Sequence, residues 1–249
     1  MVNIKIWGFA LLGTVVLAIV AIYWFYFSKP TTFLTNEQLI GKINQAFPEA
    51  PVRVIRDIVH VDERHIFVPF ISEDDHYGGS YWAWQKHKWQ AVAMDTIGGP
   101  HVWKINSKDP STFHLLWNIH PDDQVSYLKF YCVRDRGYHG FDGGVMYDPK
   151  IQMEKKVSFE ENSYGVLRLP DNWLTFMKAF HKVESAKVPD LLFSSIFPVD
   201  QMYFGWTPYD KMDKEVILKS TGNGGGFSTG NGGVDFIRYL NESEIESPK

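Results

Sequence analysis

His60, Asp62 and His65 have residue types and spacing that suit metal ligation. Residues two apart on an extended strand share a face, so His60 and Asp62 point the same way, and His65 returns across a tight turn. Asp74, Asp75 and His76 lie close by in sequence and offer further donors. Strand-edge histidines and acidic turns are also ordinary surface features, and no His-Glu-x-x-His or calcium-loop spacing occurs. The expectation is no metal and no cofactor, with these three residues as the candidates to inspect.

Acid–base chemistry has one focus, Asp142 in Gly140-Phe-Asp-Gly-Gly144, next to His139. Asp-Gly is equally a turn dipeptide, and a turn is the reading preferred here. Cys132 alternates with Phe130 along an apolar stretch, which makes it a small buried hydrophobe rather than a nucleophile. Gly-x-Ser-x-Gly and usable Ser-x-x-Lys signatures are missing.

One repeat stands out: Ser220-Thr-Gly-Asn-Gly-Gly225 recurs as Ser228-Thr-Gly-Asn-Gly-Gly233. It lacks the Lys-Ser/Thr that completes a phosphate-binding loop, so it reads as a flexible hairpin loop. Trp82 and Trp84 share a strand face, and flat aromatic faces can stack on sugars or on a protein partner. The reading preferred here is that they fill the core of a β domain.

The elements that must position these residues follow from hydrophobic periodicity. Ile6–Phe27 is a 22-residue run without a charge, long enough as a helix to span about 33 Å, and it carries aromatic residues at both ends. It reads as an uncleaved, single-pass signal-anchor. Lys5 on one side and Lys29 and Lys42 on the other nearly balance the positive-inside rule. The short tail, 1–5, favours a cytoplasmic N-terminus with the large domain outside.

A linker, 28–34, leads to a domain over 35–240, and the polar tail 241–249 is expected to fray. Thr35 and Gln38 have capping-box spacing before a short helix that Pro48 stops. From Val52 the period changes to two. Short strands are expected through Arg134, with turns at Gly98-Gly99-Pro100 and His120-Pro121. Met153–Glu160 and Gly165–Leu169 read as a hairpin, and Asp171 caps a second helix with an aromatic stripe from Trp173 to Phe180. Leu191–Phe197, Gln201–Thr207, Glu215–Ser220 and Val234–Leu240 read as late strands. The fold class is mainly β, with α+β as the alternative: an antiparallel sheet or sandwich with two short helices, preceded by one transmembrane helix.

Composition sets the outer limits. The chain has 249 residues, 45% hydrophobic and 22% charged, with a formal net charge of −4, which are globular values that argue against a nucleic-acid partner. Lys5 and Lys29 are the only charges in the first thirty residues, so the remainder is more acidic, at net −6. No polybasic stretch follows the apolar run. A single cysteine excludes an intrachain disulfide and Cys-rich zinc sites.

These features point to a membrane-anchored, extracytoplasmic, non-catalytic binding or structural module for a protein or cell-surface glycan. The alternative is a membrane-anchored hydrolase of envelope polymers using Asp142, His139 or the His60/Asp62/His65 group.

Overall fold

The computed structural model describes residues 4–141, 144–187, 202–222, 224–228 and 232–246. Helix α1 (Ile4–Phe27) is apolar on every face, and Leu11, Leu12, Leu17, Ile19 and Trp24 are exposed. Side chains of α1 are described only over 11–25, and among the described residues no helix is long and apolar enough to cross a membrane.

Helix α2 (Asn36–Ala46) begins at the expected capping box: the Gln38 amide donates to Thr35 Oγ1, and the Thr35 amide donates to Gln38 Oε1. Leu39 and Ile43, one turn apart, are its buried face. Five strands follow: β1 (Val52–Ile55), β2 (Val59–His60), β3 (His65–Ser72), β4 (Tyr77–Gln85) and β5 (Lys88–Asp95). Next come β6 (His101–Lys104), β7 (Phe113–Asn118), β8 (Tyr127–Arg134), and the hairpin β9 (Gly137–Phe141) with β10 (Gly144–Asp148). After β11 (Ile151–Ser158) and β12 (Tyr164–Arg168) comes helix α3 (Asp171–Lys187). The chain closes with β13 (Met202–Tyr209), β14 (Gly226–Ser228), β15 (Val234–Phe236) and β16 (Arg238–Tyr239).

The fold is mainly β, and its pairing is antiparallel except between β13 and β16. The first sheet runs β1-β3-β4-β5-β14 with β2 on β3, the second β12-β7-β6-β15, and the third β11-β8-β13-β16. β4 is buried on both faces. Trp82 and Trp84 pack beneath α2 with Leu39 and Ile43, while Tyr81 and Ala83 pack towards Trp103 and Leu116 of the second sheet. A further core joins the second and third sheets to α3 through Leu115, Trp117, Phe130, Trp173 and Met177.

Several expectations are corrected. β11 and β12 do not form a hairpin: β11 pairs with β8, and β12 with β7. The segment between them is held by the Ile119 amide donating to the Ser163 carbonyl and the Phe159 amide to the Ser126 carbonyl. Glu215–Ser220 makes only an isolated bridge from Glu215 to Tyr209. The reason is that the Lys219 and Ser220 amides donate to Asp123 Oδ1, and the Thr221 amide to Asp123 Oδ2, so these donors are withdrawn from any ladder. The tail is tied down through residue 246, where Glu246 and Gln152 exchange two hydrogen bonds. The strand expected at Leu191–Phe197 lies outside the described residues.

Candidate functional site

β5 ends at Asp95 and β6 begins at His101, so the five residues between them carry the chain from the first sheet to the second. Gly98 makes this crossing possible with φ +70°, and a Cβ there would meet the Tyr77 carbonyl oxygen at 2.5 Å. The glycine repeat makes the same crossing at the sheet edges, because β14 pairs with β5 and β15 pairs with β6.

Among the described residues, one cleft opens at this seam and a second between the second sheet, the third sheet and α3, and Phe236 of β15 lines both. The smaller, of about 330 Å³, has Asp95, His101, Ser228 and the backbone of Gly224–Gly226 in its walls. Asp95 and His101 are both buried, with His101 Nε2 3.6 Å from Asp95 Oδ2. Asp95 Oδ1 also accepts from the Ile97 amide at 3.0 Å. Burial, then the neighbouring Asp95 carboxylate, pushes the Tyr81 hydroxyl well above its ordinary value, so it stays protonated beside that acid. The His101 ring packs 4.5 Å from Phe236. The arrangement can hold an oriented imidazole beside a carboxylate at the edge of a cleft.

The larger cleft, about 420 Å³, lies between α3, β6, β7, β13 and β15. Its walls are apolar, chiefly Phe113, Met177, Phe180, Met202, Phe204 and Ile237. Its ionised lining groups already have partners: Lys104 Nζ is 2.8 Å from Asp235, and Arg238 pairs with Glu244. The volume falls in the range of small-molecule pockets, and apolar walls with a few polar rim groups are their usual chemistry.

The repeat bordering the smaller cleft is not a free loop where it is described. The Thr96 amide donates to the Gly225 carbonyl at 2.9 Å, and Trp103 Nε1 donates to the Gly232 carbonyl at 2.9 Å. A Cβ on Gly224 would collide with Thr96 Oγ1 and with the Thr96 backbone, so this glycine serves close backbone approach.

The residues singled out by sequence fall elsewhere. Trp82 and Trp84 are 2% and 4% exposed, so neither offers a stacking face to a glycan or partner. His65 Nδ1 lies 2.9 Å from Asp62, but among the described residues no three His, Cys, Asp or Glu side chains gather as a metal site, and His60 does not complete one. Asp142 lies outside the described residues, and of His139 only the backbone is described. Cys132 is buried, and burial pushes its thiol up to about 12. Sequence reasoning missed Asp95 and His101. Their signal was an acid and a histidine bracketing the Gly98-Gly99-Pro100 turn, with a twice-repeated glycine motif elsewhere in the chain. No family model matches the chain, and neither a curated protein nor a solved structure is found to be similar to it.

Proposed function

We propose that the chain is a membrane-tethered, non-catalytic binding domain, held by α1 with its bulk on the extracytoplasmic side. Its larger cleft takes an apolar or aromatic group carried by an envelope component: a side chain of a protein partner or the non-polar part of a glycoconjugate. One observation carries the binding reading: a cleft of about 420 Å³ is walled by Phe and Met side chains, and its charged groups are already paired. Met side chains adapt to varied apolar shapes, which suits a receptor surface more than a catalytic centre. Support for the tether is the all-round apolar surface of α1. Its leucines and isoleucines over 11–25 are exposed among the described residues, and at 24 residues it would reach about 36 Å as a helix.

The binding test is titration of the full-length protein in amphipol with the apolar fluorophore 1-N-phenylnaphthylamine. Saturable binding at one site is expected, and Met202→Trp, which fills the cleft, should weaken it about tenfold or more. Non-saturable partitioning, or affinity indifferent to Met202→Trp in a folded variant, would reject the reading.

The hydrolase alternative keeps one specific support, the Asp95–His101 pair at the smaller cleft. Assays against envelope polymers with the protein and with His101→Gln separate the two readings, because only the hydrolase reading expects turnover that this substitution abolishes.

A further inference from the structure

The end of α1 meets the folded domain through several contacts rather than a bare tether. The Trp24 ring lies 3.8 Å from that of His87, and Ser28 Oγ is 3.5 Å from His87 Nδ1. Arg64 Nη2 donates to the Ser28 carbonyl at 2.6 Å, and Trp89 Nε1 to the Thr31 carbonyl at 3.0 Å. Phe33 then packs edge-on against Trp89 at 4.9 Å. These contacts place the turn joining β4 to β5, with Lys86 and His87 at positive φ, beside the last turn of α1. The turn joining β2 to β3 is at the same end, because the Trp84 amide donates to the Arg64 carbonyl.

The fold thereby gathers charges that are scattered in sequence. Lys29, Lys86 and Lys88 are exposed at this end, and Arg64 is half-buried, while the acids of these segments are Asp62 and Glu63. Asp62 is itself engaged by His65 Nδ1 and by the Arg64 amide. A cationic end on a region of net −6 stands out, and it sits where α1 would leave a bilayer. Aromatic rings at the same level, Trp24 and His87, match the chemistry of the lipid–water interface.

We propose that this end, formed by Lys29, Arg64 and the Lys86–Lys88 turn, is a contact surface for the headgroups of anionic phospholipids, holding the domain close against the membrane. The inference rests on the reading of α1 as an anchor. Each cation near an anionic bilayer surface adds attraction that salt screens, and four together suffice to bias the domain's posture.

The test uses the full-length protein in nanodiscs of phosphatidylcholine alone and of phosphatidylcholine with phosphatidylglycerol. Hydrogen exchange is followed over residues 84–90. Exchange should be about fivefold or more slower in the anionic discs, and the difference should vanish in K86Q/K88Q and at high salt. Equal exchange in the two lipids, or a difference that survives K86Q/K88Q, overturns the proposal. Carbonate washing of native membranes separates the two ideas. A chain released by carbonate defeats the anchor reading and this inference with it. A retained chain without lipid dependence defeats this inference alone.

Discussion

Two amphipathic helices pack on sheets here, and they leave their sheets in different states. Under α2, Trp82, Trp84 and Trp89 pack in one buried cluster, and the indole nitrogens of Trp82 and Trp89 donate to Ser80 Oγ and the Thr31 carbonyl. Under α3, Trp117 and Trp173 are equally buried, yet their indole nitrogens have no partner among the described residues, and a cleft of about 420 Å³ remains beside Met177 and Phe204. A filled, hydrogen-bonded core maximises stability, whereas open volume and unsatisfied polar atoms reduce it. The contrast separates a hydrogen-bonded region from one that leaves volume and polar atoms unfilled around a cleft.

The largest expected break is on the filled side. Trp82→Ala should lower the unfolding free energy by about 3–5 kcal/mol in urea titration, since Trp82 is fully enclosed and its removal leaves a cavity and takes away the indole donor to Ser80 Oγ. Met202→Trp, on the open side, should cost less than about 1 kcal/mol because it grows into existing space. Equal losses from the two substitutions would erase the contrast.

Asp123 comes next. Burial pushes its pKa up, but hydrogen bonds from Ser220, Thr221 and Lys219 outweigh that and leave it below the ordinary value. A lowered folded-state pKa means that its stabilisation is present above the unfolded value near 3.9 and is lost as pH falls through the folded value. Asp123→Asn should cost about 2 kcal/mol at pH 7 and flatten the acid limb of the stability profile below about pH 4. An unchanged acid limb would show that the 219–221 segment is held by something else.

A further, purely local effect is expected at the cap of α2. Thr35→Ala should cost about 1 kcal/mol and leave cleft binding untouched.

Local signals were legible in sequence, and long-range ones were not. The Thr35–Gln38 capping box lies within one turn, so residue types alone locate it. Most strands between Val52 and Arg134 were readable from their period of two. That period could not tell that β4 is covered on both faces, because the covering layers, α2 and the second sheet, are supplied by other parts of the chain. Hence the period alone leaves a stacking face on Trp82 and Trp84 as an alternative to the preferred core reading, and their burial decides for the core. The β11 and β12 partners are strands that end at Arg134 and Asn118, separated from β11 and β12 by intervening elements and so beyond any turn signal. The glycine repeat looked mobile because its hydrogen-bond partners, Thr96, Trp103 and Lys104, lie more than a hundred residues away. Asp95 and His101 escaped notice for a related reason: the turn between them was legible, but the burial of both side chains was not.

Methyl spectroscopy of the methionines tests the cleft most directly, because Met177 and Met202 line it while Met94 belongs to the filled core under α2. In full-length protein carrying carbon-13 methionine methyls, 1-N-phenylnaphthylamine should shift the Met177 and Met202 signals in a saturable way and leave Met94 and the exposed Met212 in place. Uniform small shifts across all four, or movement of Met94 alone, would contradict the assignment of this cleft as the binding site.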